Sequence, residues 1–291
     1  LRVPPVKIMK EGKDVPEVWK MMLANVRTPR GNYGDMRALI SAVDLGEERL
    51  KSLIEKYGAQ AFEKTVQDLM DYSEKRMRAE LETFKDGKYT FIDTIEDDGI
   101  EDKKYEIHVA VYVQGGEVVV DYTGSSKQAK GPINATLGVA WSAAFNAILH
   151  MTDETIPLNS GCLRPIRVIA PAGTVMNVDY PGSSVGGNTE SHPLIVCAIF
   201  GAMVNCVPDR VMASEGTTHG CFVFGGHDPL NDEPYGGFDF SYVGYGGRLF
   251  ADGNDATDSI NGNCSNTPME VFETRFPWIV EEYALRPNSG G

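Results

Sequence analysis

Lysine is absent from the last 161 residues of this 291-residue chain, because Lys130 is the final one. That portion holds six arginines against 17 aspartates and glutamates, and the whole chain has a net charge of −14. A nucleic-acid backbone is bound by clusters of lysine and arginine, so this charge pattern argues against a nucleic-acid partner. The same portion carries 21 of the 31 glycines, so the chain is charged and helix-rich first, then glycine-rich and lysine-free.

Several functional patterns are also missing. No apolar run reaches the roughly 18 residues of a membrane-spanning helix, so no membrane association is expected. The five cysteines are odd in number and lack C-x-x-C spacing, which favours a reduced, cytoplasmic protein. The absence of H-E-x-x-H and of histidines four residues apart excludes a zincin site, and we assign no metal ligand in the chain. The absence of G-x-S-x-G weighs against an α/β-hydrolase.

The two ends of the sequence bear on whether it is an excerpt. The chain starts with LRVPP, without an initiator methionine or the apolar core of a signal peptide, and it stops abruptly at SGG. We therefore expect an internal portion of a longer polypeptide.

The first part of the chain, residues 1–88, is predicted to be helical. Apolar residues recur there every three or four positions, as on the buried stripe of an amphipathic helix. Pro29 is expected to end the first of three such stretches and Gly58 the second. The second stretch fits either two helices or one long helix. The three stretches cover residues 16–28, 35–57 and 62–81.

The remaining residues, 89–291, are predicted as a mixed, glycine-rich region that forms one continuous structural unit with the first. Alternating apolar residues predict strands, and two segments that are apolar on nearly every face predict enclosed helices. The strands are expected at 105–113, 117–122, 166–169 and 175–180, and the enclosed helices at 135–150 and 190–206. Gly115 and Gly116 are expected to join the first two strands in a tight hairpin. The sequence therefore predicts an α+β fold: a helical hairpin or small bundle, then a mixed glycine-rich β-sheet region with two buried helices.

An acidic stretch lies between these regions. Residues 93–102 hold six carboxylates and no basic group. A run of like charges is usually solvated, so we expect a solvated loop here in preference to a cation site.

The run GSSVGGNT at residues 182–189 keeps the glycine spacing of a phosphate-binding P-loop, but Asn188 stands in the place of its lysine. A P-loop binds phosphate through backbone N–H groups and that lysine. Glu190 places a carboxylate in the first turn of the following helix, where it satisfies the helix dipole internally. Nucleotide binding and a tight strand-to-helix turn are both open at this point, and the turn is favoured.

Two histidines lie in polar settings that suit acid–base chemistry. His192 follows the glycine run, and His219 lies in the polar stretch EGTTHG. Ordinary hydrogen bonding is the alternative for each. Glu190 and Glu215 could form a carboxylate pair, although the sequence does not measure their separation.

Asparagines in glycine- or proline-flanked loops are candidates for polar ligand contacts. Asn134, Asn188 and Asn266 are of this kind. An asparagine amide can hydrogen-bond a polar ligand, and asparagine also tolerates the left-handed backbone of turns. A turn role is the alternative for any one of them alone.

Eight segments taken together resemble the hydantoinase B / 5-oxoprolinase family, and they occur in the family's order over almost the whole chain. They are LRVPPVK at 1–7, LANVRTP at 23–29, GDMRA at 34–38, DYTGSS at 121–126, GPIN at 131–134, GNTE at 187–190, NTPME at 266–270 and LRPNSGG at 285–291. Each segment is weak alone, and their joint order makes the assignment. The chain resembles an internal portion of the family's full length.

The resemblance implies a hetero-oligomer with a hydantoinase A-type subunit that binds ATP and magnesium. Such a pair opens a cyclic amide such as N-methylhydantoin or 5-oxoproline at the expense of ATP. It also implies that the family's divalent-metal ligands lie in a segment before the part matched here. Two alternatives stay open: a subunit of an ATP-dependent ketone carboxylase of the acetone or acetophenone type, and an assembly module without catalytic residues.

Within this resemblance, we predict Glu190, His192 and His219 as catalytic residues, with Glu190 or His192 as the general base. Asn188 is expected to orient the substrate's carbonyl group. The predicted substrate-binding residues are Asn134, Asn188, Thr189 and Asn266.

Overall fold

The computed structural model describes residues 3–285. Residues 1–2 and 286–291 lie outside the described part, and with them parts of the first and last segments that carry the family resemblance. The chain divides into two compact units. The first comprises the residues up to Thr65, with Val223–Phe238 and Thr267–Glu281, and the second comprises Val66–Phe222, Asp239–Asn266 and the residues from Glu282 onward. The division at residue 88 stays a prediction.

The first unit begins with a two-stranded ribbon and two helices. The ribbon pairs β1 (Met9–Lys10) with β2 (Lys13–Asp14), and the helices are α1 (Pro16–Leu23) and α2 (Pro29–Tyr57). Trp19 is the buried residue of α1, and its indole N–H donates to the Ile8 carbonyl over 3.1 Å. The prediction that Pro29 ends the first helix was wrong, because proline is well suited to a first helical turn and here begins α2.

An aromatic cluster forms the other part of the first unit. The ring of Phe224 lies 4.3 Å from that of Trp278 and 4.8 Å from that of Phe276. The elements around it are α7 (Met269–Arg275) and parts of the paired strands β7 (Cys221–His227) and β8 (Pro234–Phe240).

The second unit is built on a four-stranded sheet. Its strands are β3 (Gly87–Ile95), β4 (Tyr105–Gln114), β5 (Glu117–Asp121) and β6 (Ile166–Ile169), in that spatial order. The first three are antiparallel, and β6 runs parallel to β5. The odd-numbered residues of β4 from 105 to 113 are buried, which confirms the alternation. The hairpin is confirmed as well, since Gly115 and Gly116 have positive φ angles of 55° and 79°.

Three helices contribute to the core beside this sheet. They are the C-terminal part of α3 (Ala59–Leu81), α4 (Leu137–His150) and α6 (His192–Met203). Every residue of α6 except Gly201 is buried, as predicted for an all-apolar helix. Helix α4 buries one face, whereas its Trp141 is 46% exposed. A short helix, α5 (Ser160–Leu163), precedes β6. The α+β class is confirmed.

Two sequence predictions about strands failed. Strand β3 was missed because its side chains do not alternate cleanly between buried and exposed. The strand expected at 175–180 is instead a series of turns with isolated bridges at Thr174. Val175 and Met176 are buried there, so their apolar character reflects burial of a turn.

The acidic stretch 93–102 is also more ordered than a solvated loop. Asp98 is buried, and its carboxylate accepts hydrogen bonds from the Tyr105 hydroxyl at 2.9 Å and from the Gly131 N–H at 2.8 Å. The N–H of Glu101 above all, then those of Gly131 and Ile100 and the Tyr105 hydroxyl, hold the pKa of Asp98 well below its usual range. The expectation of a solvated loop was therefore wrong at this residue.

Candidate functional site

The glycine run at 182–189 packs against the chain itself. A methyl group on Gly187 would overlap the carbonyl oxygen of Asn134, so glycine is needed there for close approach. The Gly186 N–H donates to the Pro132 carbonyl over 2.9 Å. A phosphate cradle needs such N–H groups free, and the Gly187 N–H is likewise bonded to the Ser184 carbonyl at 3.1 Å, so the N–H groups of these two adjacent glycines are not available to a phosphate.

Asn134 holds the loop in place. Its side-chain oxygen accepts from the Ala129 N–H at 2.7 Å, and its NH₂ group donates to the carbonyls of Ala129, Gly131 and Ser183 at 2.7–3.1 Å. The side chain is fully buried. Both N–H donors of the amide are engaged with the chain, so we do not carry Asn134 into the proposed site.

The loop leads into a π-helical turn, Gly187–Ser191, which precedes α6. The turn leaves Asn188 exposed and Thr189 and Glu190 half-buried. The Ser191 N–H reaches back five residues to the Gly186 carbonyl at 3.3 Å. Single π-turns at helix ends recur at functional sites, and this one presents three of the predicted site residues together.

The predicted base, Glu190, is held from one side. The hydroxyl of Thr218 donates to Glu190 Oε2 over 2.6 Å. The next residue, His219, donates its backbone N–H to the Thr189 carbonyl over 3.0 Å. The EGTTHG stretch thus lies directly against the π-turn.

The imidazole of His219 lies inside a polar cluster. Its Nδ1 is 3.1 Å from Asp258 Oδ1, and its Nε2 is 2.7 Å from Asn261 Oδ1. The side chains of His219 and Asp258 are only 7% and 9% exposed. Asn261 donates its amide N–H to the Asn188 carbonyl over 2.8 Å, which orients the amide oxygen toward the imidazole. Three separate segments of the chain therefore meet at His219.

Glu215 binds the segment of the chain that carries Asp258 and Asn261. Its carboxylate accepts from the Ser259 hydroxyl at 2.6 Å and from the Ile260 N–H at 3.2 Å. Burial raises the pKa of Glu215, and the hydrogen bonds from Ser259 and Ile260 act in the opposite direction. Glu190 accepts a hydrogen bond from the Thr218 hydroxyl, and Glu215 accepts one from the Ser259 hydroxyl. The two carboxylates therefore hold different parts of the cluster.

His192 is the most enclosed of the predicted catalytic residues. It is 4% exposed, and its Nε2 lies 3.2 Å from Ser142 Oγ on α4. Its Nδ1 has no hydrogen-bond partner among residues 3–285. Burial, and after it the charge of His219, lower the pKa of His192 to about 4. The ring is therefore neutral at neutral pH.

Asn266 lies apart from this cluster in its hydrogen bonding. Its side chain is exposed and donates to the Tyr283 hydroxyl. Of the seven predicted site residues, the structure brings together Asn188, Thr189, Glu190 and His219 directly. The roles of all seven stay predictions.

The sequence reasoning missed the segment 257–262, which supplies Asp258 and Asn261. Its signal is a short polar run, DSIN, ahead of a glycine. A methyl group on Gly262 would overlap the Asp258 carboxylate, so the glycine belongs to the same arrangement. Nothing in such a run indicates contact with a histidine 39 positions earlier along the chain.

A groove of about 550 Å³ crosses strands β3 and β4 elsewhere in the second unit. Lys88 and His108 are the ionisable side chains that line it. None of the seven predicted site residues borders this groove, and we place the candidate site at the polar cluster because acid–base groups converge there.

Two kinds of feature are absent from the described part of the chain. Over residues 3–285, no three His, Cys, Asp or Glu side chains are arranged to hold a metal ion. None of the helices in that range combines the length and hydropathy of a membrane span.

Comparison with known proteins identifies relatives whose names state an enzyme activity. The chain is 34% identical over 301 residues to the B-type subunit of a putative D-/L-hydantoinase from Pseudomonas sp. (strain NS671), a match that covers 99% of this chain and 50% of that protein. The crystal structure of the ATP-dependent caprolactamase from Pseudomonas jessenii matches with a TM-score of 0.89 and 27% identity, over 98% of this chain and 50% of that chain. The chain spans about half the length of the curated relatives it matches.

A more distant structure shares the fold alone. The nucleotide-free structure of an acetone carboxylase matches with a TM-score of 0.83 at 16% identity, over 92% of this chain and 38% of that chain. The family model described as Hydantoinase B/oxoprolinase matches residues 1–291, the whole sequence. The chain therefore belongs to the Hydantoinase B/oxoprolinase family.

Proposed function

We propose that this chain is the portion of a hydantoinase B-type subunit that opens a cyclic amide in an ATP-dependent hydrolase. The observation that carries the proposal is Glu190, a half-buried carboxylate held on one oxygen by Thr218 at the edge of a buried polar cluster. A carboxylate held in this way through one oxygen suits general-base catalysis. Relatives named as a hydantoinase and a caprolactamase support the substrate class.

The chemistry of ring opening gives each residue of the π-turn a role. Water attacks the carbonyl carbon of the cyclic amide, the ring C–N bond breaks, and the nitrogen leaves with a proton. Glu190 accepts the proton that the attacking water loses and then donates it to the leaving ring nitrogen. Asn188 and Thr189, on the same turn, bind the amide group and orient its carbonyl.

ATP is proposed to bind to a partner of the hydantoinase A type, together with magnesium. The glycine run of this chain supports that assignment, because Asn188 stands in the place of the P-loop lysine and the N–H groups of Gly186 and Gly187 are bonded within the chain. When bound, ATP supplies activation of the substrate's carbonyl oxygen. The hydantoinase and caprolactamase relatives are each named as one subunit of an enzyme, which supports a hetero-oligomer, and we propose a cytoplasmic location for it.

The test uses the full-length protein reconstituted with its partner. ADP release and ring-opened product are measured with a hydantoin, 5-oxoproline and caprolactam. Glu190→Gln is expected to lower coupled turnover by roughly a hundredfold or more, since it removes the general base. Glu154→Gln, at an exposed glutamate outside the cluster, is the matched control and is expected to leave turnover unchanged.

Other outcomes select other functions. ADP release that depends on bicarbonate and a ketone, without ring opening, would point to carboxylation. Full ring opening by Glu190→Gln and by variants of Asn188 and Thr189 would show that this portion is an assembly module.

A further inference from the structure

We propose that His219, Asp258 and Asn261 form a positioning unit that acts on the reaction through the π-turn, without touching the substrate. This inference rests on the proposed function, because it takes Glu190 as the general base. It changes the role expected of His219 from proton transfer to orientation, and it assigns a role to two residues that the sequence did not indicate.

The first step of the argument is that both ring nitrogens of His219 are already engaged. Asp258 Oδ1 lies 3.1 Å from Nδ1, and Asn261 Oδ1 lies 2.7 Å from Nε2. The ring also packs against Phe240, with 5.0 Å between ring centroids. A histidine that exchanges protons with a substrate needs one nitrogen directed at it, and here the chain takes both.

The second step is that the unit and its neighbour Thr218 together reach three successive residues of the π-turn. Asn261 donates to the Asn188 carbonyl at 2.8 Å, and the His219 N–H donates to the Thr189 carbonyl at 3.0 Å. Thr218, which precedes His219, donates to Glu190 Oε2 at 2.6 Å. Each proposed substrate-facing residue is thus fixed by one hydrogen bond from the same cluster.

The third step is backbone strain at the residue that aims the unit. Thr217 has φ of +52°, a conformation that is unfavourable for a β-branched residue. Such strain persists where surrounding contacts over-determine it, and it concentrates at functional sites. Glu215, two residues earlier, supplies such contacts through Ser259 and Ile260. The strained residue directs the next two, Thr218 and His219, at the π-turn.

The π-turn depends on these contacts more than an α-helical turn would, because hydrogen bonds in π geometry are rarely stable over more than one turn. A displacement of about 1 Å at a catalytic group can cost roughly a hundredfold in rate. Loss of the Thr218 bond to Glu190 therefore lowers turnover with little effect on substrate affinity, whereas loss of the Asn261 bond to the Asn188 carbonyl also weakens substrate binding.

The test compares two pairs of variants in the reconstituted complex. Thr218→Val removes the hydroxyl at constant shape, and Thr218→Ser restores it. Asn261→Asp keeps the oxygen that faces His219 but replaces the donor that binds the Asn188 carbonyl. Asn263→Asp adds the same charge at an exposed position nearby and serves as its control.

Thr218→Val is expected to lower kcat roughly tenfold to a hundredfold with KM changed less than about threefold, and Asn261→Asp is expected to lower kcat and also to raise KM, because it displaces Asn188. Thr218→Ser and Asn263→Asp are expected to stay near the unmodified protein. The double variant Thr218→Val with Asn261→Asp is expected to lose less than the product of the single losses, since both act through one turn.

Amide hydrogen exchange of residues 186–192 in the isolated protein gives a readout that does not depend on activity. Faster exchange in Thr218→Val and Asn261→Asp, but not in the control variants Thr218→Ser and Asn263→Asp, supports the positioning role. Unchanged exchange, or faster exchange with unchanged kcat, overturns the inference. Absence of ring opening by the unmodified complex would instead overturn the proposed function and leave the exchange result standing.

Discussion

Ser142 and His192 join two of the helices that contribute to the core of the second unit: Ser142 Oγ on α4 lies 3.2 Å from His192 Nε2 at the start of α6. The imidazole is buried, and its pKa is lowered to about 4 by burial and by the charge of His219. A histidine buried in its neutral form stabilises the fold only while it stays neutral.

This histidine predicts a pH dependence of stability. Between pH 6.5 and about 4 the unfolded chain binds a proton at His192 that the folded chain does not, so the free energy of unfolding falls as pH falls through this window. The contribution is at most about 3 kcal/mol. Urea unfolding of the unmodified protein and of His192→Gln at pH 7 and pH 4.5 measures it. An identical loss in both proteins would contradict the assignment.

The positive φ of Thr217 predicts that glycine is tolerated at this position. Glycine adopts positive φ without strain, so Thr217→Gly is expected to leave the free energy of unfolding unchanged or to raise it by up to about 1 kcal/mol. Thr123 is exposed and has an ordinary backbone conformation, so Thr123→Gly is expected to lose stability. Thermal unfolding of the two variants side by side decides the matter. Equal destabilisation would show that φ at Thr217 is not strained in solution.

The close packing around Gly187 predicts that a larger residue is not tolerated at this position. A methyl group there meets the Asn134 carbonyl, so Gly187→Ala is expected to cost about 1–3 kcal/mol by overpacking. Gly138 lies in α4, with its nearest neighbour 3.8 Å from the added carbon. Gly138→Ala is therefore expected to be neutral or mildly stabilising. The idea fails if chemical denaturation gives both variants the same midpoint.

Asp98 predicts a loss of stability in acid. Hydrogen bonds from backbone N–H groups and from Tyr105 hold its pKa below the ordinary value, so its contribution is present above pH 4 and is lost as pH falls further. Burial, together with the same bond, raises the pKa of Tyr105 to about 12. Asp98→Asn is expected to lower Tm at pH 7 and to narrow the difference between pH 7 and pH 3. Calorimetry at both pH values tests this, and Asp97→Asn at a neighbouring exposed carboxylate is the control.

The sequence predicted those parts of the fold in which local pattern and burial coincide. Strand β4 alternates because one of its faces is buried, and α6 is apolar all round because it is enclosed. Strand β3 and the turn at Val175 were misjudged because their burial is set by distant elements.

The residues of the candidate site were also predicted only in part. Glu190 and His219 were found from their polar surroundings in the chain, whereas Asp258 and Asn261 were not. Their importance comes from hydrogen bonds to residues 39 to 73 positions away, and no local pattern encodes such a contact. The direction of the His219 ring, and therefore its positioning role, follows only from those bonds.

The burial of α6, which leaves only Gly201 partly exposed, has a consequence for how the candidate site can change. A helix without a solvent-facing side cannot rotate or slide without opening the core, so the downstream end of the π-turn is fixed. If the proposed site is correct, new substrate preferences are expected from changes in the loops at 188–190, 215–220 and 258–261, while the scaffold beneath them stays as it is.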